Sequence, residues 1–534
     1  MALKRVRVWL MLISMFISLQ GWRMEGCLKQ ERSALLQLKH FFNNPNRLQN
    51  WVEGYENSDC CYWESVYCDF ATGRVSGLDL GSARNQELGE WYLNVSLFSP
   101  FQEIQRLNLS YNLIAGCVEN EGFERLSHLN NFVALDLSDN MFNDSRILPG
   151  LSNLEHLSLR GNMFNNSILS YVSTLSLLKQ LDLTDIGLKD TVDLQELDSL
   201  RHLQRLSMGG NEIKRIVISK ELPLLKNLTG LRISDTVFHN NFFQMIGTMT
   251  SLEYLYITSS DISGTLLDQE LPWFKNLIDL QIHHTVFQDN FLQIFAAMTS
   301  LQFIVIGSSD LNDTLLDQVL PTFKSLKYVE FHDIALNNFP AIFNGSCNSL
   351  ETLLLDNCNL TNTLPGQELP TFKSLTKLDI SNTIFNNNNS LQMLSSMTSL
   401  EYLSIVNCTF KSTSLDEGIC KMHHLMELRI IGNGLTWWCV ANLTSLFELD
   451  ISINSFSGHI PMEFGAYLSV LNSFNISGNA FEGMIPSSFG DMKSLTYLDM
   501  SNNLLTGGIP EELAGCISLG HLALSNNSLQ GQIF

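Results

Sequence analysis

Three histidines, two cysteines and an aspartate in this chain have the types and spacing that chemistry asks for. His283 and His284 are adjacent in "IHH", and His332 holds the equivalent place in a similar segment 49 residues later. Neutral imidazoles are the commonest ligands of transition metals. On a strand, however, adjacent residues point to opposite faces, and strands lie about 4.8 Å apart, so a partner two strands away is roughly 10 Å off. The expectation is surface imidazoles, with no metal ion and no cofactor. Cys358 and Cys408 likewise recur at one place in segments 50 residues apart, beyond the reach of about 7 Å that a disulfide allows. Buried thiols are expected there. Asp69 in "DFA" approaches the D-F-G of phosphoryl-transfer enzymes, but neither H-R-D nor a Gly-rich loop accompanies it, and H-E-x-x-H, the P-loop and G-x-S-x-G are missing as well. The chain is expected not to be an enzyme.

What must position these residues is a repeat. The pattern L-x-x-L-x-L-x-x-N is spelled by "LEHLSLRGN" (Leu154 to Asn162), "LQRLSMGGN" (Leu203 to Asn211), "LFELDISIN" (Leu446 to Asn454) and "LTYLDMSNN" (Leu495 to Asn503). From "VSGLDL" at Val75 to "LGHLAL" at Leu519 there are nineteen copies, mostly 24 or 25 residues apart. That period and spelling define a leucine-rich repeat. They predict an α/β leucine-rich-repeat solenoid, a curved stack whose short strands form one parallel sheet on the concave side. In "LEYLYIT" alternation sends Leu255 and Ile257 inward and Tyr254, Tyr256 and Thr258 outward. Each well-buried leucine contributes about 1.5–3 kcal/mol, and no single repeat could fold alone. The recurring Asn falls at the corner, where its amide can donate to and accept from backbone groups that the bend leaves unpaired.

A longer period is superimposed. "MTSLEYL" occupies residues 249–255 and again 397–403, and Pro223, Pro272, Pro321 and Pro370 stand 49 residues apart. Tandem duplication of a two-turn block explains both, because each turn of a solenoid touches only its neighbours. Within this region the outward strand positions read Tyr254, Tyr256, Asp279, Gln281, His283, Phe303, Val305, Tyr328, Glu330 and His332. Exposed aromatics beside charges are the composition of interaction hot spots. Apart from Val305, these residues are the candidate ligand-binding set.

The bulk composition narrows the partners. A chain of 534 residues with net charge −22 and a pI near 4.9 repels nucleic acid and anionic membrane surfaces. Lys4, Arg5 and Arg7 precede the apolar run Val8 to Leu19, which is too short for a bilayer core needing about 20 residues and reads as an export signal over 1–22. Eleven cysteines suit an oxidising compartment, and their odd number leaves at least one without a partner in the chain. Thirteen Asn-x-Ser/Thr triplets are candidate glycan acceptors on that route, at Asn94, Asn108, Asn143, Asn165, Asn227, Asn312, Asn344, Asn359, Asn388, Asn407, Asn442, Asn475 and Asn526. A glycan on Asn108, Asn407 or Asn475, on or near the concave face, would obstruct docking there.

Residues 23–73 precede the repeats, which fill 74–534. In "QERSALLQLKHFF" the helical spacing of Leu35, Leu38 and Phe42, with Leu28 on the same side, predicts an amphipathic helix that lids the first turn. This segment resembles the N-terminal cap of the extracellular leucine-rich-repeat receptor-like proteins and receptor kinases of plants, in "CLKQERSALLQLK", Trp51 and "DCCYWESVYC". Their repeat ending L-x-G-x-I-P is met by "FSGHIP", "FEGMIP" and "LTGGIP". The resemblance implies a disulfide-bonded cap pairing Cys27 with Cys60 and Cys61 with Cys68. It also implies a cell-surface receptor for an extracellular peptide, protein or glycan, acting in defence or development through a partner co-receptor kinase at the outer face of the plasma membrane. Such receptors usually carry further repeats, a second cap, a membrane span and a tail. Here "LQGQIF" is the last stretch and would leave Leu522, Leu524 and Ile533 facing water. A secreted inhibitor of cell-wall-degrading enzymes, like the polygalacturonase-inhibiting proteins, and a non-functional receptor fragment are the alternatives.

Overall fold

The computed structural model describes residues 27–52, 59–217, 225–239, 246–263, 274–287, 298–308, 310–311, 325–337, 348–361, 372–385, 394, 397–410, 419, 422–435 and 443–531. The expected export signal lies outside these residues, as do the four prolines of the long period, Ile533, Asn312, Asn344, Asn388 and Asn442. The chain forms two compact units, Met1–Thr236 and Val237–Phe534.

The first unit opens with the helix Lys29–Phe42. Ala34, Leu35, Leu38 and Phe42 share its buried face, while Leu28 stands just ahead as the N-cap residue, half-buried. Glu31 is wholly buried on that face. One of its oxygens accepts the Leu28 amide at 2.9 Å, and the other pairs with Arg74 Nε at 2.9 Å. Disulfides join Cys27 to Cys60 and Cys61 to Cys68. Trp51 stacks on Trp63 at 5.9 Å and donates its indole N–H to the Glu64 carbonyl at 2.8 Å. The strand Val66–Cys68 then pairs antiparallel with Val75–Asp79, which places the cap over the edge of the first repeat strand.

From there the strands Val75–Asp79, Arg106–Asn108, Ala134–Asp136, His156–Ser158, Gln180–Asp182, Arg205–Ser207 and Gly230–Ser234 pair in parallel, each with the next. Their register stacks Leu78, Leu107, Leu135, Leu157, Leu181, Leu206 and Leu231 in one buried column. The second unit repeats the plan from Tyr254–Thr258 to His521–Ala523. Its inner column runs Leu255, Leu280, Ile304, Val329, Leu353, Leu378 and Leu403. The last member of that column, Leu522, is 43% exposed.

Corner side chains bind backbone groups where the strands end. Asn162 donates to the carbonyls of Leu137, Leu159 and Arg160 at 2.9, 2.8 and 3.1 Å and accepts the Phe142 amide at 3.0 Å. Its amide thus draws in the carbonyls just past the strand, and His156–Ser158 ends after three residues. At the equivalent corner Thr285 and Thr383 are found, and their hydroxyls reach the His283 and Ser381 carbonyls, each at 2.8 Å. Cys358 and Cys408 place their thiols 3.4 and 3.5 Å from the Phe331 and Ile380 carbonyls. Strands such as Asp279–His283, Tyr328–His332 and Thr352–Asp356 run five residues. Each long strand therefore presents three outward residues rather than two.

The glycine of the L-x-G-x-I-P ending has a backbone reason. Gly458, Gly483 and Gly507 adopt φ of 94°, 82° and 76°, a region that side chains disfavour; Gly458 sits within the short outer strand Ser457–His459, and Gly483 and Gly507 close Ala480–Gly483 and Leu504–Gly507.

Candidate functional site

The long strands of the second unit bring the candidate residues together on one face. Parallel register sets Tyr254, Asp279, Phe303 and Tyr328 in a first row, Tyr256, Gln281, Val305 and Glu330 in a second, and Thr258, His283, Gly307 and His332 in a third. Tyr254 and Phe303 are 47% and 39% exposed; the other candidates are half-buried. The Phe303 and Tyr328 rings lie 6.2 Å apart. Tyr328 donates its hydroxyl to Glu330 Oε2 at 2.6 Å, and burial together with that bond holds the phenol above its ordinary value. Asp279 is raised by burial, against a hydrogen bond from Gln281. The face therefore combines aromatic edges with carboxylates that are partly shielded from water.

The first row continues beyond the residues singled out from the sequence. Lys377 Nζ stands 4.7 Å above the Tyr402 ring, and Tyr402 donates its hydroxyl to Asp379 Oδ2 at 3.3 Å. The alternation that picked out Tyr328 could have picked these too, since "LTKLDIS" and "LEYLSIV" have the same pattern.

In the third row two histidines lie closer than the separation of roughly 10 Å that strand spacing gives. His283 Nδ1 and His332 Nε2 are 3.1 Å apart, with ring centroids at 5.1 Å, although two strand spacings separate their backbones. The residue between them is Gly307. A Cβ built there would overlap the His332 ring, so the absence of a side chain lets one imidazole lean across to the other. Tyr256 flanks His283 on the far side at 5.6 Å. Burial first, and His332 second, hold His283 below its ordinary value. His284 has φ of 48° and begins the corner. Among the described residues no group of three or more His, Cys, Asp or Glu is arranged to hold a metal ion.

In the first unit the strand face forms a hollow of about 810 Å³, lined among others by Arg106, Asp136, His156, Asp182 and Arg205. Its carboxylates are already engaged: Asp79 accepts the Gly81 amide and the Asn108 side chain, and Asp136 and Asp182 accept the Ser138 and Thr184 amides. Asn108 itself lines the hollow, so a glycan on it would fill the space. The aromatic face of the second unit is the stronger candidate, because its polar groups are fewer and its rings remain accessible.

The other sequence-selected residues have structural surroundings. Cys358 and Cys408 are buried and unbridged, and burial pushes their thiols up to about 12 and about 11. The Asp69 carboxylate accepts the Ala71 and Thr72 amides and the Thr72 hydroxyl, so it closes a turn of the cap. Asn143, Asn165, Asn227, Asn359, Asn407 and Asn526 are exposed, whereas Asn94, Asn108 and Asn475 are half-buried. Among the described residues no helix is long and apolar enough to cross a membrane.

Strands stacked in register, corner amides and a disulfide-bonded helical lid define a leucine-rich-repeat solenoid. Family models agree at both ends: residues 28–69 match a leucine rich repeat N-terminal domain, and residues 469–529 match a leucine rich repeat. These two segments resemble leucine-rich-repeat proteins, and the curated sequences that the chain matches include plant receptor-like proteins. Receptor-like protein 9b of Arabidopsis thaliana is 33% identical over 208 residues, 38% of this chain and 19% of the relative. Cuscuta receptor 1 of Solanum lycopersicum is 32% identical over 241 residues, 43% of this chain and 20% of the relative. The matched stretch thus spans about a fifth of these relatives. Among solved structures, the plant peptide hormone receptor RGFR1 in complex with RGF2 aligns over 88% of this chain and 72% of its own, with a TM-score of 0.55 and 24% identity. That likeness is one of fold.

Proposed function

We propose that this chain is the extracellular ligand-recognition part of a plant receptor-like protein, acting in defence or developmental signalling at the outer face of the plasma membrane with a partner receptor kinase. The ligand is a peptide or protein segment that lies across the long strands of the second unit. The observation that carries this reading is the row of Tyr254, Phe303 and Tyr328 beside Asp279 and Glu330. Rigid aromatic edges supply contact area at low entropic cost, and partly desolvated carboxylates favour a segment with basic groups over an acidic one. Recognition without catalysis fits the absence of any enzyme motif and the kind of relative the chain matches.

A displayed random-peptide library selected on the secreted protein tests this reading. Peptides recovered on the wild type are expected to be rich in Lys or Arg. They should lose at least tenfold in affinity when Tyr254, Phe303 and Tyr328 are replaced together by Ala, as expected when anchors worth about 1–2 kcal/mol each are removed. Equal binding by the triple variant would remove the site assignment.

A further inference from the structure

From the third row of the second unit we infer that His283 and His332 form an open two-imidazole site for a divalent ion of the zinc and copper class. The two nitrogens that face each other, His283 Nδ1 and His332 Nε2, are 3.1 Å apart. Two imidazole nitrogens on one tetrahedral ion, with bonds of about 2.0–2.1 Å, stand roughly 3.3 Å from each other, so a small outward rotation of either ring admits the ion. The remaining ring nitrogen of His332, Nδ1, lies 3.5 Å from Asp333 Oδ2. Asp333 is itself fixed by the Ser308 hydroxyl at 2.9 Å and the Asn357 amide at 2.6 Å. A carboxylate on the far nitrogen favours the tautomer whose Nε2 carries a lone pair, which is the arrangement that outer-shell carboxylates impose on ligating histidines. On the other side, Tyr256 braces the His283 ring.

Gly307 makes the pair. Any side chain on the intervening strand would overlap the His332 ring, and the two imidazoles would return to the separation of two strands. No third protein ligand completes the set among the described residues, so the other coordination positions belong to water or to a group brought by a bound partner. Imidazole nitrogens select zinc, copper and nickel over calcium and magnesium, which take oxygen. The inference stands apart from the ligand reading above, because it needs only the free chain.

Titration of the untagged secreted protein with zinc chloride at pH 7.5, followed by calorimetry, tests it, with copper(II) electron paramagnetic resonance reporting nitrogen coupling. The expected result is about one equivalent bound, weakened at least tenfold in His283→Ala and in His332→Ala, unchanged in His156→Ala, and not reproduced by calcium chloride. Gly307→Ala should weaken binding to a similar degree while both histidines remain. Thermal melts of each variant separate loss of the site from loss of the fold. Zinc binding that survives both histidine substitutions, or no zinc binding by the folded wild type up to about 1 mM, overturns the proposal.

Discussion

A thiol in the place of a corner asparagine shows how much a single side chain decides here. Cys358 and Cys408 are 2% and 4% exposed, and their sulfurs face backbone carbonyls where Asn162 would place an amide. A thiol is a weaker donor than an amide, so these corners hold their carbonyls less tightly. The thiolate is the reactive form, and burial raises both groups far above the ordinary 9.0, to about 12 and about 11. At pH 8.5 in native buffer, Cys358 and Cys408 should therefore resist Ellman's reagent for hours and react within minutes in urea, as peptide mapping after labelling would show. Fast native labelling of either would contradict the packing. The same shifts have a consequence for stability. Above pH 9 the unfolded chain releases protons that the native state keeps, so this contribution is full below pH 9 and is lost as pH rises toward about 12.

At the scale of the element, the cap is held by one buried ion pair and two bridges as much as by its helix. Glu31 is wholly buried and Arg74 is its salt-bridge partner. Removing one partner of a buried pair strands the other charge, at a cost of about 3–5 kcal/mol. Arg74→Ala is expected to lower the urea midpoint of the first unit accordingly, and Glu31→Gln in the same background to recover part of the loss by removing the stranded charge. An Arg74→Ala midpoint within error of wild type would mean that Glu31 draws its stability from the Leu28 amide alone. The cysteines of the cap were placed by the spelling of "DCCYWESVYC" and its likeness to a family, and the helix by the spacing of Leu35, Leu38 and Phe42. Leucine spacing likewise gave the position of every repeat strand, because inward residues recur wherever a strand must bury one face. What periodicity could not give was strand width or side-chain lean. The first differs between turns of similar spelling, as at His156–Ser158 against Asp279–His283. The second depends on the neighbour's size, as at Gly307, where the missing side chain halves the separation that strand spacing alone assigns to His283 and His332.

Each unit is a one-dimensional stack of parallel strands, so damage within a unit should be local and graded. Each repeat in the first unit buries its leucine between those of its two neighbours, as Leu157 does between Leu135 and Leu181. Stability in such arrays is a sum of repeat terms and nearest-neighbour interface terms. Leu157→Ala opens a cavity in the inner column, where Leu157 is 3% exposed, and should cost about 2–5 kcal/mol. Amide hydrogen exchange is expected to rise most in His156–Ser158, Ala134–Asp136 and Gln180–Asp182, and less at Val75–Asp79 and Gly230–Ser234. The strands Ser473–Asn475 and Tyr497–Asp499 of the second unit should keep wild-type protection. A uniform loss across all of these strands would show that the repeats unfold as one cooperative block. In that case substitutions on the aromatic face could not be interpreted as local changes in binding, because any destabilising change there would reach the cap as well. Graded exchange, by contrast, allows the face and the histidine pair to be altered while the first unit serves as an internal control.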